Sequence, residues 1–108
     1  MLEEKTKPIV EFNNLDVVVN TKTLEELNTL MKIYELAGYK WSLGNSAIDN
    51  LSERRWARYK DELCINAEKG NLRYGSVDTY KKISSFQEFC ETNDLTKEKL
   101  NEINEYFR

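Results

Sequence analysis

The spacing of hydrophobic positions changes several times along this chain, and each change marks an element. From Thr23 to Leu43, TLEELNTLMKIYELAGYKWSL, the side chains of Leu24, Leu27, Leu30, Met31 and Tyr34 fall on one side of a helix at about 100° per residue. Glu25, Asn28, Thr29, Lys32 and Glu35 fall on the other, so the helix is expected to be amphipathic. Thr23 occupies the N-cap position with Glu26 three residues on, a spacing that predicts a capping box in which Glu26 reaches back to the Thr23 N–H. Gly38 is placed to end the helix in the left-handed conformation, after which Tyr39, Trp41 and Leu43 alternate with Lys40 and Ser42 as a strand.

Before that helix, Ile9 to Phe12 and Leu15 to Val19 are rich in β-branched and aromatic residues and predict a hairpin, or one kinked strand, turning at Asn13-Asn14. After it, Gly44 to Asn50 reads as a turn-rich connection, and Leu51 to Asp61 as a short helix capped by Ser52. Leu63, Ile65 and Ala67 alternate with polar neighbours, Lys69-Gly70-Asn71 supplies a turn, and Leu72 and Tyr74 resume the alternation, which is the clearest hairpin signal in the chain. Tyr80 to Ser84 reads as a short edge strand or an extended lead-in. Ser85 with Glu88 forms a second capping box, opening a helix that buries Phe86, Phe89 and Cys90 and breaks at Asn93-Asp94. Thr96 caps a last helix with Leu100, Ile103 and Phe107 inward and Lys97, Glu98, Glu102 and Glu105 outward. The expected fold is a single α+β domain over residues 9–108, behind a flexible stretch 1–8: a mixed, mostly antiparallel sheet of four to five strands, an amphipathic helix after the first strands, and two short C-terminal helices.

Composition narrows the chemistry more than it names it. With 108 residues there is room for one core, and 40% hydrophobic content with six Tyr, four Phe and two Trp argues against a disordered segment. The N-terminal MLEEKTKP carries no hydrophobic region of a signal peptide, so a cytoplasmic location and no membrane partner are expected. Cys64 and Cys90 are then expected to be reduced and buried. Histidine is absent, which removes Ser-His and Cys-His couples and Cys/His zinc sites. The carboxylates follow no calcium-loop spacing, and the glycines at 38, 44, 70 and 75 stand at turns rather than in a phosphate cradle. No catalytic residue, metal or cofactor is therefore assigned.

Charge does single out a segment. Residues 1–51 carry eight acidic and five basic side chains, 52–82 five and eight, and 83–108 six and three, so a basic island lies between two acidic flanks. Within it Arg54, Arg55, Arg58 and Lys60 are interleaved with Trp56 and Tyr59, a composition suited to phosphate, bases or an acidic protein surface. The competing reading is a solvated helix face whose Trp56 packs in the core. Arg73 and Tyr74, with Asn66 and Ser76, sit on the second hairpin and offer further polar contacts, and Trp41 either walls a ligand pocket or belongs to the core. The candidate partner- or ligand-binding set is accordingly Arg54, Arg55, Trp56, Arg58, Tyr59, Lys60, Arg73 and Tyr74.

The runs Gly38-Tyr39-Lys40-Trp41, Leu72-Arg73-Tyr74-Gly75 and Ile83-Ser84-Ser85-Phe86-Gln87-Glu88-Phe89 give the chain a layout that resembles small accessory proteins encoded by bacteriophages and prophages. The resemblance implies a class of role, inhibition of a bacterial host or defence protein by direct binding, in the bacterial cytoplasm. It supplies no active-site residue. Two other readings stand beside it: a binder that sequesters a nucleotide-like signal between aromatic and arginine side chains, and a nucleic-acid-binding regulator that uses the basic segment 54–82.

Overall fold

A computed structural model describes residues 7–108, and the expectation of a flexible leader falls for residues 1–6 outside them. The described elements are β1 (Val18–Asn20), α1 (Leu24–Leu36), β2 (Lys40–Trp41), α2 (Ser52–Tyr59), a 3-10 turn (Lys60–Glu62), β3 (Leu63–Glu68), β4 (Asn71–Ser76), β5 (Ser84–Ser85), α3 (Phe86–Thr92) and α4 (Lys97–Tyr106). The sheet order is β2-β4-β3-β1-β5, with antiparallel β3 against both β4 and β1 and parallel β2–β4 and β1–β5 pairings at its two edges. This is the α+β architecture the hydrophobic pattern predicts.

The longest ladder is the β3–β4 hairpin, running from Leu63 opposite Ser76 to Glu68 opposite Asn71. Its Lys69-Gly70 turn has positive φ at both residues, 48° and 85°, which matches the right-handed twist of the strands it joins. Val19, Leu63, Ile65, Ala67, Leu72 and Trp41 turn to one face of the sheet and are buried there with Leu27, Leu30, Met31, Ile33 and Tyr34 of α1, Phe89 of α3 and Ile103 of α4. Burying each of the larger side chains contributes roughly 1.5–3 kcal/mol. Lys40, Asn66, Glu68, Asn71 and Arg73 alternate with them and point to the opposite face, where all but the half-buried Asn66 are exposed.

Four local expectations are corrected. Residues 9–17 form no hairpin: the N–H groups of Asn13 and Asn14 both donate to Oδ1 of Asn93, whose own amide donates to the Asn14 carbonyl. A fully buried side chain at the end of α3 thus satisfies backbone that a partner strand would otherwise satisfy. The strand after α1 shrinks to Lys40–Trp41, because the chain turns back at Gly44 (φ +94°) and the Trp41 N–H donates to Asn45 O. On α1, Thr29 is buried rather than solvent-facing, since α4 packs on that flank and places Asn104 within 3.5 Å of the Thr29 hydroxyl and 2.9 Å of Lys32 Nζ. Finally, Thr23 caps the Glu26 N–H as expected, but the Glu26 carboxylate takes the N–H of Lys22 instead of Thr23; the reciprocal box is complete only at Ser85 and Glu88.

Candidate binding surface

The basic segment becomes α2, yet its start differs from the expected Ser52 cap. The helix opens after Leu51, which has no capping side chain, and Oδ1 of Asp49 accepts the Leu51 N–H in its place. Lys60, at φ +53°, ends it. On the 3.6-residue period Arg55, Trp56 and Tyr59 turn toward the body of the protein, while Glu53, Arg54, Ala57 and Arg58 remain exposed.

Arg55 is therefore not a free cation. Its two terminal nitrogens bind the two oxygens of Asp49 at 2.9 and 3.0 Å, a bidentate pair with about nine-tenths of both side chains buried. The guanidinium also lies over the Trp41 indole, its Cζ 3.9 Å from the ring centroid, and 5.2 Å from the Tyr74 ring. Tyr74 meets Trp41 edge-on at 5.9 Å and Tyr59 edge-on at 6.1 Å, so one aromatic chain joins β2, β4 and α2. Burial alone would raise the Asp49 pKa, but the Arg55 hydrogen bonds, together with the Leu51 N–H and Asn45, hold it below its ordinary 3.8.

Of the eight residues singled out in the sequence, Arg55, Tyr59 and Tyr74 come together around Trp41. Trp56 is half-buried and packs on the core. Arg54, Arg58 and Lys60 project to solvent, Arg58 lying 5.3 Å from the Tyr59 ring. Arg73 does not join them: as the strand neighbour of Tyr74 it points to the opposite face of the sheet, where its Nε reaches Ser42 Oγ at 3.4 Å. Asp49 was missed altogether, although an aspartate two residues before a helix N-cap and six before an arginine is a readable local signal.

A few large hydrophobic side chains stay exposed, and most of them lie in or beside the elements of this site. Among the described residues four are exposed, Ile9, Leu43 (93%), Ile48 (42%) and Tyr74 (42%). Three of those four belong to the β2–α2 loop or to the aromatic chain itself, Leu43 two residues after Trp41 and Ile48 next to Asp49. The nucleophilic side chains lie elsewhere. Cys64 and Cys90 are both free and buried, and burial raises both thiols, Cys90 to about 11. Among the described residues no group of three or more Cys, Asp or Glu stands close enough to hold a metal ion, and no helix is long and apolar enough to cross a membrane. No family model matches the chain, and no curated protein or solved structure matches it.

Proposed function

We propose that the protein is a non-catalytic binder that inhibits a bacterial host or defence protein by direct contact, through the corner formed by α2 and the β2–α2 loop. One observation carries the reading: the exposed Tyr74 meets Tyr59 and the exposed Ile48 adjoins Asp49 of the segment that also presents Arg54 and Arg58 to solvent, and the exposed Leu43 lies in the loop leading into it. Tyrosine and arginine around a projecting apolar side chain is the composition of an interface hot spot. The corner is also stiff, because the Asp49–Arg55 pair and the Trp41 ring hold the loop against the helix and the sheet, so little ordering entropy is lost on docking. A small ligand between arginine and aromatic faces is less well supported, since Arg55 and Trp41 occupy each other's faces. The bacterial setting of the partner rests on the sequence resemblance alone.

The test is capture from bacterial cells in which the protein gives a phenotype, followed by reconstitution with the purified partner. A one-to-one complex that blocks the partner's activity is the expected result. A phenotype with no protein partner, or a bound nucleotide-like molecule in native mass spectrometry, overturns the reading.

A further inference from the structure

The face of the sheet turned away from the helices carries a second arrangement, independent of the α2 corner. Across it, Lys40 on β2 and Arg73 on β4 lie on the same side as Asn66, which stands opposite Arg73 in the β3–β4 register. A groove of about 130 Å³ is lined by Asn66, Glu68, Lys69, Asn71 and Arg73. A second, of about 490 Å³, shares Asn66, Glu68 and Lys69 with it and runs on to Val18, Lys82 and Ser84. The two adjoin at Asn66, Glu68 and Lys69 and together trace a trough from the β4 side of the sheet to the approach to β5. Among the described residues no carboxylate pairs with Lys40, Lys69, Arg73 or Lys82, and the ion pairs present are Asp49–Arg55 and Glu105–Arg108. The acidic groups along the trough are Glu68 and Asp16, and Asp16 accepts a 2.6 Å hydrogen bond from Tyr39.

Beside Arg73 the same face supplies an aromatic ring. Gly75 alternates with Arg73 on β4, and Tyr80 reaches back over it: a Cβ on Gly75 would lie 3.3 Å from the Tyr80 ring and 3.4 Å from its hydroxyl. The lack of a side chain at Gly75 is what lets the ring lie on the sheet.

We propose that this trough binds an extended single strand of nucleic acid, with Lys40, Lys69, Arg73 and Lys82 on phosphates, Tyr80 stacked on a base, and the amides of Asn66 and Asn71 on base edges. The chemistry favours this occupant over a protein, because the face has separated cations, amides and a ring but none of the exposed apolar anchors found at the α2 corner. Three strand spacings of about 4.8 Å carry the trough across roughly 14 Å from β4 to β5, with Lys40 on β2 one spacing beyond its end, which suits the short end of the ~4–16-nucleotide footprints of single-strand-binding folds. An overall charge of −3 gives no long-range attraction, so binding depends on these local contacts and is expected at low ionic strength.

The experiment is fluorescence anisotropy with labelled 12-mers of dT and U, read at several salt concentrations. Four phosphate contacts on a single strand predict a log–log salt slope near −2.8, or a weakening of about 50-fold between 50 and 200 mM salt. The double variant Arg73→Gln, Lys82→Gln should flatten the slope by about 1.4. Tyr80→Leu should weaken binding by roughly tenfold, with Tyr80→Phe near the parent protein. Lys97→Gln, an exposed cation on α4, should bind as the parent does. Thermal melts of each variant separate a lost contact from a lost fold. Absence of binding at 50 mM salt overturns the proposal. So does an unchanged slope in folded Arg73→Gln, Lys82→Gln, or displacement of the strand by polyglutamate at equal charge concentration, which would mark the trough as a site for acidic protein.

Discussion

The Arg55 guanidinium lies 3.9 Å from the centre of the Trp41 ring, with its edge closed by both oxygens of Asp49. The most buried cation of the basic segment thus holds a loop, a helix and an edge strand together, and its exposed neighbours Arg54 and Arg58 are left to meet a partner. These two roles have separable consequences.

Arg55→Ala leaves a buried Asp49 without its partner, and breaking a pair of this kind costs about 3 kcal/mol or more. Thermal melting should fall by about 10–20 °C. Arg55→Lys should recover little, because an ammonium matches neither the two carboxylate oxygens nor the face of the indole. Arg54→Ala and Arg58→Ala, both exposed, should each change stability by less than about 0.5 kcal/mol. Equal melting of Arg55→Ala and the parent would remove the structural role.

The same pair makes stability depend on pH. Because the folded Asp49 pKa lies below its ordinary value, the contribution is complete above the unfolded carboxyl pKa of about 3.9 and is lost as pH falls through the lowered folded value. Asp49→Asn should be less stable near neutrality, and its stability should decline less between pH 5 and 2 than that of the parent. Parallel acid profiles in urea denaturation would contradict this.

Tyr39 provides the alkaline counterpart. Burial, and then its hydrogen bond to Asp16, raise its pKa from 10.0 to about 12. The stability this tyrosine contributes is present below pH 10 and lost as pH rises toward 12. In an absorbance titration, Tyr39→Phe should lack one late-ionising phenol and should lose less stability over that interval.

Trp56 is half-buried against the core, so Trp56→Ala should cost less than the 3–5 kcal/mol of a fully buried tryptophan, about 2 kcal/mol. Denaturant melts measure it directly. A change below 0.5 kcal/mol would instead mark Trp56 as a surface ring available to a partner.

Much of the fold was legible because its signals are local. Thr23 with Glu26, and Ser85 with Glu88, are three residues apart, and the β3–β4 alternation contains its own turn. What was illegible depends on distant chain. Asn93 looked like a helix breaker and does end α3, but its amide also ties down Asn13 and Asn14, about eighty residues away. Likewise the arginine run was readable as a segment, whereas the burial of Arg55 among its neighbours depends on Asp49 from a loop and Trp41 from a strand. Consecutive strand residues face opposite ways, and this separates Arg73 from Tyr74 although the sequence sets them side by side.

The most direct measurement is the affinity of the purified partner for Arg54→Glu, Arg58→Glu and for Leu43→Asp, by calorimetry on proteins whose melts match the parent. Contacts at the α2 corner should make both variants bind at least tenfold more weakly and relieve inhibition in step. Binding and inhibition at parental strength by both folded variants would contradict placement of the interface at this corner.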